Sequence, residues 1–218
     1  MSTFPYEGLK VLDLSRILAG PWIGQTLADM GADVVKIEAP AGDDTRNWGP
    51  PFIERETGKT AAYYFACNRG KRSIVANLKD PSELAKVQEL AAQADVIIQN
   101  YKKGGLDKFA LDYASVAATN PGIVYASITG FGQDGPRASQ PGYDLLIQGM
   151  SGIMDITGPE DREPQKMGVA FADLFTGGYG VIGIQAALKM RAEMLGTSRN
   201  VRVRVNGKTR CSPLNTAV

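Results

Sequence analysis

Leu9-Lys-Val-Leu-Asp-Leu14, then a helical pattern from about Pro21 to Met30, then Ala32-Asp-Val-Val-Lys-Ile-Glu38: this stretch decides the fold. Its first and third pieces are short, nearly continuous apolar runs, the signature of strands buried on both faces. The helix between them opens at a proline, whose fixed φ and missing N–H suit a first helical turn, and it ends before Gly31. Strand, helix and strand in this order form the unit that sets two strands parallel.

The pattern recurs downstream. Ser73-Ile-Val-Ala-Asn77, Asp95-Val-Ile-Ile-Gln-Asn100 and Ile123-Val-Tyr-Ala-Ser-Ile128 read as strands. A helix is expected from Asp80, its N-cap, through Pro81 to about Ala94. Further helices are expected near 112–119, over 143–154 and, the longest, over 172–193. Residues 39–72, rich in Gly, Pro, Asp and Arg, read as one long loop with at most a helix around 60–66. The whole predicts an α/β domain with a mostly parallel sheet and flanking helices. Ligands then bind beyond the carboxyl ends of the strands, at residues 15–20, 39–46, 77–79, 100–108 and 129–143.

Composition narrows the chemistry. The chain has 218 residues, 44% of them hydrophobic, so a core is expected and global disorder is not. Its formal net charge of +1 argues against a general nucleic-acid or membrane-surface role. The charge is uneven: residues 197–218 carry Arg199, Arg202, Arg204, Lys208 and Arg210 and no acid. The domain reading is therefore a unit over 1–196 and an atypical basic tail over 197–218, in which Val201–Val205 alternates like an exposed strand with its arginines outward. Cys67 and Cys211 have no metal-ligand spacing, and a reducing compartment is the default. No signal peptide and no apolar run of about 18 residues is read, so the expected location is cytoplasmic, import into an organelle remaining compatible. The histidine count is zero, which removes Ser-His-Asp and Cys-His catalysis within the chain and the commonest zinc ligand. No metal site is expected.

Four segments are candidates for chemistry, each with a plainer reading beside it. Gly130-Phe-Gly-Gln-Asp-Gly135 follows a strand and matches a dinucleotide fingerprint, but Pro136-Arg-Ala-Ser-Gln-Pro141 cannot open the helix that fingerprint needs. A tight loop is the better reading of the glycines. Asn68-Arg-Gly-Lys-Arg-Ser73 clusters three cations that suit the phosphates of an adenosine diphosphate moiety, with Asp43-Asp-Thr-Arg46 and Lys102-Lys103 as possible additions; the plainer reading is a solvated basic turn. Asp173, in Gly168-Val-Ala-Phe-Ala-Asp-Leu-Phe-Thr-Gly177, stands near the start of a long apolar helix, where local sequence favours an N-cap. The functional alternative is a shielded carboxylate acting as an acyl-carrying nucleophile. Tyr143 is either a half-buried aromatic or a substrate contact.

Taken together, Gly8-Leu-Lys-Val-Leu-Asp-Leu-Ser-Arg-Ile-Leu-Ala-Gly-Pro21, Gly31-Ala-Asp-Val-Val-Lys-Ile-Glu38, Gly42-Asp-Asp-Thr-Arg46, Asn68–Ser73, Ala94–Asn100, Ser127–Pro136, Pro141-Gly-Tyr-Asp144 and Val169-Ala-Phe-Ala-Asp-Leu174 resemble, in order, the class III CoA-transferases, the CaiB/BaiF family. The resemblance spans about residues 6–194 and implies a Rossmann-like fold, here the N-terminal half of the family's. It implies that Asp173 attacks an acyl-CoA thioester and carries the acyl group as a mixed anhydride, and that Tyr143 lines the acyl pocket. By the same resemblance Leu18, Ala19, Asn77, Leu78, Lys79, Asn100, Tyr101, Lys102 and Lys108 contact CoA, with Arg16 and the Arg69, Lys71 and Arg72 group as weaker additions.

The resemblance also sets alternatives. Racemases of the family carry a histidine base where Tyr143 stands, so a chain without histidine is steered towards transfer. Ile156-Thr-Gly-Pro-Glu160 and the Asn47-Trp-Gly-Pro-Pro51 loop resemble members that handle dicarboxylates. Position 39 is alanine where some members carry a CoA-contacting arginine, and position 108 is lysine rather than arginine. After the long helix, Gly196 onward departs from the family pattern. The expectation is a truncated chain without the glycine-rich loop that closes over the aspartate and supplies oxyanion stabilisation, where one donor is worth ~10²–10³ in rate. Members form interlocked homodimers, which a half-length chain would not reproduce; a catalytically incomplete fragment that binds CoA or a partner is therefore the second reading.

Overall fold

The computed structural model describes residues 4–56 and 58–193, together with the backbone of 201–205 and 210–213. The opening unit folds as read: β1 (Lys10–Asp13), α1 (Ala19–Asp29) and β2 (Asp33–Glu38), with the two strands parallel from Lys10 against Asp33 to Asp13 against Lys36. Helix α1 starts two residues before Pro21, which lies inside its first turn where a missing N–H has no cost. Gly31, with φ of 97°, ends the helix and admits the close approach of Phe4.

The stretch read as one long loop holds more structure than its composition suggested. It contains an antiparallel hairpin, β3 (Phe52–Arg55) and β4 (Gly58–Ala61), followed by the expected helix, α2 (Ala62–Asn68). The hairpin packs no apolar face into a core and so shows no apolar alternation, which is the signal a sequence reading depends on. Then come β5 (Arg72–Val75), α3 (Pro81–Gln93), β6 (Val96–Gln99), α4 (Tyr113–Thr119), β7 (Val124–Ile128), α5 (Asp144–Met150) and α6 (Phe171–Glu193). Asp80 caps α3 through the N–H groups of Ser82 and Glu83, as its position before Pro81 predicted, and Asp112 does the same for α4. Helix α5 is four residues shorter at its end than the pattern suggested, because Gly152 turns the chain with φ of 80°.

The backbone of β8 (Val201–Val205) pairs parallel with β7, and β9 (Arg210–Pro213) pairs antiparallel with β8. The strand expected at Val201–Val205 is thus present, whereas the outward arginines lie outside the described residues. The sheet order is β5-β2-β1-β6-β7-β8-β9, parallel throughout except at β9. The chain winds outward from β1 to β2 and β5, then restarts on the other side at β6. This doubly wound order has its switch point between β1 and β6.

Helices cover both faces. Val11, Val34, Val96, Ile98 and Val124 pack against Ile23 and Leu27 of α1 and Val181 and Ile184 of α6. The alternate residues Leu12, Val35, Ile97 and Tyr125 pack on the other side against Val87 and Ala91 of α3 and Val116 of α4. Burial of both faces explains the near-continuous apolar strands. Among the described residues no helix is long and apolar enough to cross a membrane.

Candidate active site

A cavity of about 1070 Å³ opens beyond the carboxyl ends of β1, β6 and β7, at the switch point. Arg16, Leu18 and Ala19 of the β1–α1 turn form one wall; Asn100, Tyr101, Lys102 and Lys103 after β6 form the next. Gly130 and the Pro141–Tyr143 segment close a third side, and Phe171, Asp173 and Thr176 of the first turns of α6 face them. Cations therefore sit at the strand-end walls and a carboxylate at the helix start.

Asp173 is the third residue of α6, and it does not cap that helix. The cap comes from Asp144, 29 positions earlier: its Oδ1 accepts the N–H groups of Ala172 at 2.8 Å and Asp173 at 3.2 Å, while Gln148 Nε2 donates to its Oδ2 at 2.6 Å. The local reading of Asp173 as an N-cap is thereby corrected. With the orphan amides taken by Asp144, the Asp173 carboxylate has no hydrogen-bond partner among the described residues and is left to the cavity. Burial first, and the Asp144 charge second, push it up to about 6. Near neutral pH it is still mostly ionised, and it is more basic, hence a better nucleophile, than an ordinary surface carboxylate. Tyr63 of α2 shares these surroundings: burial, then Cys67 and Asp173, push its phenol up to about 12.

The structure brings together Arg16, Leu18, Ala19, Asn100, Tyr101, Lys102, Tyr143 and Asp173, all of which line the cavity. Ala39, the position noted as lacking a family arginine, lines it as well. Tyr143 is largely exposed and precedes α5. Asn100 has a visible structural duty: it accepts the Arg16 N–H at 3.0 Å and donates to the Arg16 carbonyl at 2.7 Å, tying the two strand-end loops together. Arg16 pairs with Asp44 at 2.8 Å at the surface, whereas Lys102 and Lys103 have no ion pair among the described residues.

Other candidates do not reach the cavity. The basic cluster at 68–73 is a set of internal partners. Lys71 is buried and binds Asp13, the Pro21 carbonyl and Asn68, each at 2.8 Å. Arg69 pairs with Asp29, and Arg72 pairs with Asp33 at 2.6 Å, at the amino ends of β2 and β5 and hence at the edge of the sheet opposite the cavity. Asn77, Leu78 and Lys79 follow β5 on the cavity side of the sheet but at its far edge strand; Asn77 accepts the Lys79 N–H at 3.1 Å, and Leu78 packs on the core. Lys108 lies in a short 3-10 turn, its ammonium 4.9 Å from the Phe109 ring. In the glycine loop no helix opens after Gly135; Gly130 and Gly142 instead approach so closely that a Cβ on Gly130 would stand 2.3 Å from the Gly142 Cα.

Sequence reasoning missed Asp144, Lys36, Asp43 and Glu38 as architects of the site. Lys36 is buried mid-strand and pairs with Asp43 at 2.9 Å. Glu38 accepts hydrogen bonds from Arg46 on both its oxygens at 2.7 Å, and from Tyr64 and Ser73. Burial would raise its pKa, but these donors together bring it down to about 2. The available signal was charge inside the apolar run Ala32–Glu38, since a charge within a two-sided buried strand must be paired. Among the described residues no three His, Cys, Asp or Glu side chains group as metal ligands.

Fold and site define a doubly wound α/β protein whose switch-point cleft sets cations along one side and, opposite them at a helix start, a carboxylate without a hydrogen-bond partner among the described residues. Residues 6–208 match the model of CoA-transferase family III, and the chain belongs to that family. It is 59% identical over 187 residues to a succinate–glutarate CoA-transferase of Agrobacterium fabrum, covering 84% of this chain and 47% of that one. It is 48% identical over 185 residues to a human succinyl-CoA:glutarate CoA-transferase, covering 84% of this chain and 41% of that one. A crystal structure of a CaiB/BaiF family protein from Brucella suis superposes with a TM-score of 0.89 at 60% identity, over 92% of this chain and 52% of that one. The chain spans about half the length of the curated relatives it matches.

Proposed function

We propose that the protein transfers CoA from an acyl-CoA to a carboxylic acid through an anhydride on Asp173. One observation carries this reading: the Asp173 carboxylate is freed of capping by Asp144, raised to about 6 and turned to the cavity that Arg16, Lys102 and Lys103 line at the strand ends.

In the first step an Asp173 Oδ attacks the thioester carbonyl carbon, the C–S bond breaks and its electron pair leaves on CoA thiolate. The acceptor carboxylate next attacks the aspartyl carbonyl, displacing the donor acid as its carboxylate and forming a new aspartyl anhydride. CoA thiolate then attacks the acceptor's acyl carbonyl, and the C–O bond to Asp173 breaks to regenerate the carboxylate. No proton is gained or lost and the thioester is conserved, which suits a site without a histidine base. Arg16, Lys102 and Lys103 offer charge to CoA phosphates at the strand ends, Leu18, Ala19, Asn100 and Tyr101 form the wall beside them, and Tyr143 lines the acyl end. Asn77, Leu78, Lys79 and Lys108 fit only a ligand that extends beyond the cavity. Dicarboxylate substrates are the specific reading, supported by relatives named for succinate with glutarate and, at 42% identity, for oxalate in Acetobacter aceti. The exposed apolar side chains of α5 and α6, among them Leu145, Leu146, Phe175 and Ile182, are the surface on which further polypeptide, such as a second subunit, would pack.

Labelled succinyl-CoA is expected to label the protein in a hydroxylamine-sensitive form, and Asp173→Ala is expected to abolish it; a labelled alanine variant ends the assignment. Because the chain spans about half of its relatives, a second reading is that it binds CoA, or another polypeptide, without turnover. Calorimetric titration with CoA, alongside the labelling, separates binding without acyl transfer from both together.

A further inference from the structure

We infer that the buried Lys36–Asp43 ion pair is a positioning device: it holds Ile17 in a left-handed conformation and so fixes the Arg16–Ala19 wall of the cavity. The consequence for acyl-CoA rests on the function proposed above, while the conformational statement stands without it.

Ile17 has a φ of 73°. A β-branched residue avoids this region because its Cβ crowds the backbone, and it persists there only where the surroundings over-determine it. Here they do. The backbone polar groups from Ser15 to Ile17 are taken by side chains outside the turn. Asp13 accepts the Ser15 N–H at 2.9 Å, and Lys36 Nζ donates to the Ser15 carbonyl at 2.7 Å. Asn100 holds both groups of Arg16. Both Asp43 carboxylate oxygens lie 3.3 Å from the Ile17 nitrogen and accept its N–H, and Cys67 Sγ lies 3.5 Å from the Ile17 carbonyl.

Within this set the ion pair has a distinct part. Lys36 and Asp43 stand 2.9 Å apart with side chains 0% and 1% exposed. Lys36 belongs to β2, while Asp43 caps the short 3-10 turn that follows by accepting the Thr45 N–H at 3.0 Å. The pair therefore links β2, the segment after it and the β1–α1 turn at one point, gripping the turn on either side of Arg16. A buried pair can often be replaced by neutral groups with little loss of stability, so its use here is registry. Neither side chain lines the cavity, and both act through Ile17.

The test compares Lys36→Met/Asp43→Asn with the same variant carrying Ile17→Gly. The readouts are hydrogen exchange at residues 15–19 in the ligand-free protein and calorimetric titration with CoA. In the first variant, exchange at 15–19 is expected to rise while β6 and β7 stay protected, and CoA affinity to fall about tenfold or more. Adding Ile17→Gly, which adopts this φ freely, is expected to recover most of that affinity. Unchanged exchange at 15–19 in the first variant, or a further loss of affinity with glycine, overturns the inference. If the unaltered protein binds no CoA, the functional reading fails and the exchange result alone decides the clamp. If the double variant does not fold, Ile17→Gly and Ile17→Ala are compared in the otherwise unaltered chain. Glycine is expected to melt higher than alanine, and the reverse order, normal for an unstrained site, overturns the inference.

Discussion

Asp144 and Asp173 are both acidic residues at helix starts, yet only one of them behaves as a cap. Asp144 gives its Oδ1 to two amides of α6, and Asp173 is left with burial and a neighbouring negative charge. Under the proposed function acylation requires the ionised carboxylate, so its rate is expected to rise with pH through about 6. Asp144→Asn keeps an acceptor for the amides and removes the charge; the midpoint is expected to move down, burial still holding it above the ordinary value, and an unmoved or higher midpoint refutes Asp144 as a contributor. The same shift has a stability sign. A carboxyl whose folded value is raised favours the folded state while protonated, and that contribution is lost as pH rises through about 6. Asp173→Asn is therefore expected to stabilise the fold by about 1–2 kcal/mol at pH 8, after discounting for screening, and to change little at pH 4. Equal effects at both pH values in denaturant unfolding would contradict it. In the proposed role Asp173 would be a group held at a cost to stability, a common pattern in active sites.

At the scale of elements, the loop after β7 and the segment leading to α5 meet backbone to backbone at Gly130 and Gly142. Gly130→Ala would put a methyl 2.3 Å from the Gly142 Cα. It is expected to cost about 1–3 kcal/mol and to lower the melting temperature by about 2–4 °C per kcal/mol; a melt identical to that of the unaltered protein would show that the two loops separate freely. Close packing recurs at Gly177, whose Cβ would stand 3.0 Å from Trp22, so α6 lies hard against α1 and aims its first turn at the cavity. Much of this architecture was legible beforehand. The strands announced themselves as apolar runs, and α3 by Asp80 and Pro81, because periodicity and capping act over a few residues. The β3–β4 hairpin was not legible, since neither strand buries an apolar face. The glycines after β7 were legible as a tight loop, but their partner at Gly142 was not.

Across the whole molecule, charge is buried beneath the cavity. Asp13 with Lys71 and Lys36 with Asp43 are enclosed, and Glu38 gathers Arg46, Tyr64 and Ser73 from three separate segments. Burial would raise the Asp13 carboxyl, but the ammonium groups of Lys71 and Lys36 hold it below the ordinary range. Glu38, brought down to about 2, contributes stability that is present above its unfolded value and is lost as pH falls towards about 2. Glu38→Gln is expected to cost about 2–3 kcal/mol at pH 7 and progressively less below pH 4, measured by urea unfolding; a cost independent of pH would place the effect in packing rather than charge.

The sequence by itself determined the parallel α/β sheet, the strand ends as the side where the cavity opens, and Asp173 as the candidate nucleophile through its resemblance to one family. Only the tertiary structure decided which charges are available. Arg69, Lys71 and Arg72 look alike in the chain as cations of one loop, yet all three are taken by Asp29, Asp13 and Asp33, 39 to 58 positions away. Asp173 looks like a cap until Asp144 is found to hold that place. Strand and helix patterns are written in neighbouring residues, whereas the pairing of a charge depends on which distant segment the sheet order sets beside it.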